Sequence, residues 1–212
     1  MTAAVDVINE QNSLLTGSIS TFLALSRLFA GGGEQLVHTL PELVKSTQSL
    51  GLPQLMQTSQ SLAAYTQVKP FEFQQMGFEF NRLFVGPASP IAPPYESVYL
   101  SPDRLVMQEQ TLDVRQMYQS EHLMTASQGT APDDFIASEL EFAAYLLNRV
   151  SQESSQGNST NALKYLSLFN GFMQKHPRRW LQLFAALVLE NSRHPVFPLI
   201  MKVLLGTIEC SF

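Results

Sequence analysis

The chain of 212 residues has one cysteine, Cys210, so no disulfide can form within it. Charge is sparse as well. Lys and Arg number 13 against 18 Asp and Glu, a net charge of −5. That balance speaks against nucleic acid as a partner and suits a basic one. No basic residue precedes Arg27, so the positive n-region of a secretory signal is not expected. Together with the lone thiol this predicts a cytoplasmic protein. No unbroken apolar run approaches the roughly 18 residues of a membrane span, so no membrane insertion is expected. The four histidines, His38, His122, His176 and His194, lie far apart and form no His-x-x-x-His pair. No metal site is expected from them. His176 reads as a helix cap or a polar tip over the core. Gly31–Gly33 is followed by Glu34 rather than by Lys and Ser or Thr, so it ends a helix and does not cradle phosphate. No Gly-x-Ser-x-Gly element occurs. No catalytic residue can be named, and an enzyme is not expected.

What the chain does have is helical periodicity. Hydrophobic residues make up 45% of it, enough for a core, and one globular domain over residues 1–212 is expected. Leu14, Leu15, Ser18, Phe22, Leu25 and Phe29 recur at steps of three and four. Further helices are expected over 34–50, from Pro53 to about Tyr65, and from Pro70 to Phe84. Five of the 14 phenylalanines fall between 71 and 84, which makes that helix central. A helix over 103–124 would turn Leu105, Leu112, Met117 and Tyr118 inward. Ser127-Gln128-Gly129 ends it, and Thr130, Pro132 and Asp133 open the next. That one runs to about Val150 with Ile136, Leu140, Leu147 and Val150 inward. Residues 151–161 read as a polar, mobile linker and a possible hinge. Helices follow over 161–175, 177–190 and from Pro195 to about 209. The fold class is all-α, a single globular domain of about eight to nine helices with a long proline-rich loop.

That loop cannot be helix throughout. Pro87, Pro90, Pro93, Pro94 and Pro102 are five of the chain's 12 prolines. Proline removes an amide donor and pushes the residue before it towards extended geometry. Tyr95, Ser97 and Tyr99 alternate there, so an extended chain would set them on one face. They read as core anchors or as one wall of a peptide groove. Asp133, Asp134, Glu139 and Glu141 crowd the helix that follows. They read as charge that complements a helix dipole and faces solvent, or as an acidic rim beside a groove for a basic peptide.

The loop carries a resemblance. Leu83-Phe84-Val85-Gly86-Pro87, then Pro93-Pro94-Tyr95-Glu96-Ser97-Val98-Tyr99-Leu100, is similar to the loop of the TorD/DmsD/NarJ-type chaperones, the redox enzyme maturation proteins. Thr111–Tyr118, Ala131–Leu140 and His176–Leu181 resemble further elements of that family, and the likeness spans about residues 70–208. The family usually has His where Asp134 stands here. The resemblance implies a cytoplasmic chaperone that binds the twin-arginine signal peptide of a molybdenum-cofactor oxidoreductase, of the DMSO or TMAO reductase kind. It would hold the peptide until the cofactor is inserted and Tat export can follow. The partners implied are that peptide and the apoenzyme body, with the chaperone a monomer or a domain-swapped dimer. On this resemblance Tyr95, Ser97 and Tyr99 are expected as peptide contacts, with Asp133 and Asp134 as the acidic rim. Phe84, Gly86, Pro87, Pro93 and Pro94 are expected to shape the loop. No cofactor is expected, although the family admits weak GTP binding. A helical interaction scaffold and a weak guanine-nucleotide-binding protein are the alternatives.

Overall fold

The computed structural model describes residues 12–87, 89–125, 131–210 and 212. Among them are ten α-helices and two short 3-10 turns. The helices are α1 (Asn12–Gly31), α2 (Leu36–Leu50), α3 (Pro53–Ala63), α4 (Pro70–Phe84) and α5 (Glu96–Leu100), then α6 (Glu109–Ser120), α7 (Ile136–Ser155), α8 (Ser159–Lys175), α9 (Pro177–Asn191) and α10 (Val196–Ile208). The tenth helix, beyond the expected eight or nine, is α5, a single turn inside the proline loop.

Helix α1 lies along α2 and α7, and α7 lies along α8. The α1–α2 crossing is close because Gly17 permits it. A Cβ there would stand 2.6 Å from Leu50 Cα. By length and composition α1 could cross a membrane, which a search for unbroken apolar runs does not show. In the fold 56% of its apolar window is buried. Helix α4 is central, as its phenylalanines predict. Phe80 and Phe84 meet at 4.8 Å between ring centroids, and Phe84 meets Phe29, Phe184 and Phe197 at 5.5–6.0 Å. Such edge and tilted contacts add about 0.5–1.5 kcal/mol each beyond the buried area. Glu79 is buried on the same helix. It takes both N–H groups of Arg82 at 2.7 Å and the Arg193 amide at 2.6 Å, tying α4 to the α9–α10 link.

Three expected segments differ. The helix over 103–124 forms only from Glu109 to Ser120. Arg104 (φ 52°) and Met107 (φ 60°) take left-handed backbone, which ends helical continuity before it. Leu105 and Leu112 therefore face outward, 59% and 54% exposed. The polar stretch 151–161 is largely helical. It ends α7, turns at Gly157 (φ 77°) and begins α8. Asp133 and Asp134 precede α7 rather than forming its first turn. The expected break at Ser127–Gly129 and the start signal at Thr130 lie outside the described residues.

Candidate functional site

The proline loop leaves α4 through Gly86, whose φ of 96° only glycine adopts readily. Its amide donates to the Asn81 carbonyl at 2.7 Å, and the Ala92 amide donates to Leu83 at 2.8 Å. The loop thus folds back over the end of its own helix. Of the expected loop-shaping residues Phe84, Gly86, Pro87, Pro93 and Pro94, Phe84, Pro93 and Pro94 line a cavity described below.

The far end of the loop is fixed by the segment before α7. Tyr95 and Phe135 form an isolated antiparallel bridge with their rings 5.4 Å apart. The Ile136 amide donates to Pro94, and the Glu96 amide to Asp134, at 2.9 and 3.1 Å. Helix α5 begins there, so Tyr95, Ser97 and Tyr99 do not share one face. This corrects the extended reading. The local cause is Glu96, Val98 and Leu100, which tolerate a helical turn once the prolines are past. Tyr95 is half-buried and borders open space. Ser97 is wholly buried. Tyr99 stacks on Trp180 at 5.3 Å, and burial pushes its phenol up.

The two aspartates are corrected as exposed rim residues. Asp134 is 0% exposed and Asp133 3%. Asp134 accepts the Ser97 amide at 2.8 Å and the Thr111 hydroxyl at 2.7 Å, so it caps α5 from a neighbouring segment. Asp133 accepts the Arg115 guanidinium and the Thr125 hydroxyl, and its carbonyl accepts the Tyr118 hydroxyl. Sequence signals for these partners do not exist, because they lie 8–37 positions away.

Two surface cavities flank Phe135. The larger, about 520 Å³, is walled by Phe84, Pro93, Pro94, Tyr95, Leu105 and Phe135. Val85 (60% exposed), Leu105 and Val106 (41%) form its open lip, and Arg104 stands beside them. The second, about 490 Å³, takes Ala30, Phe135, Phe142 and Tyr145 among its walls, with Glu141 at its edge. Glu141 is exposed and makes no ion pair among the described residues. Phe135 and the end of α1 border both cavities, which lie side by side and are together called the groove. Its floor is aromatic and apolar. Its charge is arranged end to end, Arg104 at one cavity and Glu141 at the other. Of the five expected contact residues, Tyr95 lines this groove.

Residues 51–186 match the family model described as nitrate reductase delta subunit. The chain belongs to that family. The match runs from the entry to α3 into α9 and contains the proline loop and the segment before α7. This is the family of the TorD/DmsD-type redox enzyme maturation chaperones. Its members assist molybdoenzyme assembly and are not catalysts. Among solved structures, a crystal structure described as a "putative redox enzyme maturation protein" from Archaeoglobus fulgidus has the same fold. The TM-score is 0.56 at 18% identity, over 92% of this chain and 94% of that one. No curated protein matches significantly. The all-α expectation and the family resemblance are both met.

Proposed function

We propose that this chaperone acts in the cytoplasm and holds the twin-arginine signal peptide of a molybdenum-cofactor oxidoreductase, DMSO or TMAO reductase-like, until cofactor insertion permits Tat export. The observation that carries the reading is the groove across Phe135. A twin-arginine signal has a basic n-region followed by an apolar stretch that tends to helix. An aromatic floor with an apolar lip suits the stretch, as in other helix-in-groove complexes. The carboxylate of Glu141, unpaired among the described residues, suits the arginines, and Arg104 repels them from the other end. The peptide therefore lies with its basic end at the second cavity and its apolar stretch under Val85, Leu105 and Val106. Tyr95 remains a contact. Ser97, Asp133 and Asp134 act from beneath, by holding the wall in place.

The test is titration with a synthetic twin-arginine signal peptide beside a twin-lysine control. A client that must later leave calls for about micromolar affinity, roughly −8 kcal/mol. Weaker binding of the control is expected, since lysine lacks the planar fork that matches a carboxylate. Glu141→Lys is expected to lower affinity several-fold, most strongly at low salt. Equal binding by wild type and Glu141→Lys at all salt concentrations contradicts the orientation. No binding to signal peptides of several molybdoenzyme classes contradicts the function.

A further inference from the structure

Behind the groove wall lie three buried ionisable groups that peptide contact does not use. They are Glu96 on α5, Glu139 on α7 and His176 at the α8–α9 junction, none more than 1% exposed. His176 Nδ1 stands 2.8 Å from Glu96 Oε2, and Trp180 Nε1–H donates to Glu139 Oε2 at 3.0 Å. Each carboxyl thus has one oxygen served. The other oxygen of each, Oε1, is buried with no partner among the described residues. Their partners His176 and Trp180 stand four residues apart, one helical turn, at the start of α9, so the two buried carboxyls are neighbours.

Two neighbouring carboxyls buried away from water do not readily stay ionised together. One proton between them gives both orphan oxygens a partner. The neighbours decide which carboxyl carries it. Glu96 faces the His176 ring nitrogen at 2.8 Å, which can donate an N–H to it. Glu139 has only a neutral indole N–H, with the carboxylates of Glu96 and Asp134 close by. We propose that Glu139 is a neutral acid that donates its proton to the Glu96 carboxylate, and that this hydrogen bond positions α5 and with it the Tyr95 wall of the groove. His176 then donates from Nδ1. Its buried Nε2, without a partner among the described residues, is then the lone-pair nitrogen, cheaper to leave unpaired than an N–H. The remaining groups facing the pair fit this assignment. From α6 come the buried Tyr118 phenol and the Thr111 hydroxyl, the latter already given to Asp134. Asp133 is neutralised by Arg115.

Burial, then the charge of Glu96, pushes the Glu139 carboxyl well above the usual range. An unfolded carboxyl titrates at about 4.3. Between that pH and the native ionisation the folded state holds one proton more than the unfolded. The stability this proton gives is complete below the ordinary carboxyl range and is lost as pH rises towards the native ionisation. One proton of difference changes the unfolding constant tenfold per pH unit.

Trp180 is the chain's one tryptophan and touches Glu139, so its emission reports the ionisation. Emission and urea unfolding, followed from about pH 5 to pH 9, compare wild type with Glu139→Gln and Glu96→Gln. Glutamine at 139 keeps the donor and cannot ionise. The wild-type unfolding constant is expected to rise relative to Glu139→Gln by up to tenfold per pH unit, and the emission transition to vanish in that variant. Glu96→Gln is expected to move the transition to lower pH. Parallel stability curves for wild type and Glu139→Gln overturn the proposal. Should the variants not fold, the infrared spectrum of native wild type at pH 7 decides. A protonated-carboxyl band that disappears at higher pH supports it, and its absence overturns it. The consequence for peptide rests on the groove reading. The pH dependence is measured without peptide, so a pH slope with no peptide binding sinks the groove reading alone.

Discussion

Asp134→Ala is expected to lower stability by about 2–6 kcal/mol and to abolish peptide binding at the same time. The carboxylate accepts the Ser97 amide and the Thr111 hydroxyl, both in the wholly buried interior. Truncation leaves two buried donors unsatisfied, at about 1–3 kcal/mol each. It also removes one of the links between α5 and the segment before α7. The others are the Glu96 and Ile136 amides, which are backbone bonds and survive. Helix α5 therefore loosens rather than vanishes, and the Tyr95 wall moves. Asp134→Asn is milder, because the amide keeps one acceptor oxygen. Urea unfolding with signal-peptide titration of each variant reads both effects. Unchanged stability with lost binding would instead make Asp134 a direct contact, the role that a reading of the sequence suggested.

Leu105→Asp is expected to do the reverse. Stability stays within about 0.5 kcal/mol, as for most surface substitutions, while peptide affinity falls roughly 10- to 100-fold. Leu105 is 59% exposed, so the fold gains little from it. Covering a leucine with an apolar partner is worth about 1.5–3 kcal/mol, and that gain is lost together with the cost of burying a charge. The backbone agrees with a role of this kind. Arg104 and Met107 hold left-handed conformations that bulky residues avoid, and strain of this sort gathers at binding sites. Calorimetry on Leu105→Asp beside urea unfolding checks both halves. An unchanged affinity would remove the lip from the site.

The helices that carry the core were legible because burial repeats at 3.6 residues. Ile136, Leu140, Leu147 and Val150 are buried as their spacing predicts. So was the loop, since five prolines forbid a long helix. Most of the failures come from contact between residues distant in sequence. Asp133 and Asp134 look like surface acids until Arg115, Thr111 and the Ser97 amide arrive from elsewhere. Glu139 looks like helix charge until Trp180, 41 positions on, meets it. Leu105 was misplaced for a local reason that no residue type announces. Left-handed backbone at Arg104 and Met107 breaks the period without glycine. The groove combines both kinds of miss, and so Tyr95 alone of the expected contacts lines it.

The central claim is that the signal peptide occupies the groove across Phe135. The most direct measurement is amide hydrogen exchange of the protein with and without a twin-arginine signal peptide, read segment by segment. Added protection in 84–106 and 135–145 is the predicted result. Protection confined to the opposite exposed aromatics of α4, Phe71 and Phe78, with 84–106 unchanged, would contradict it.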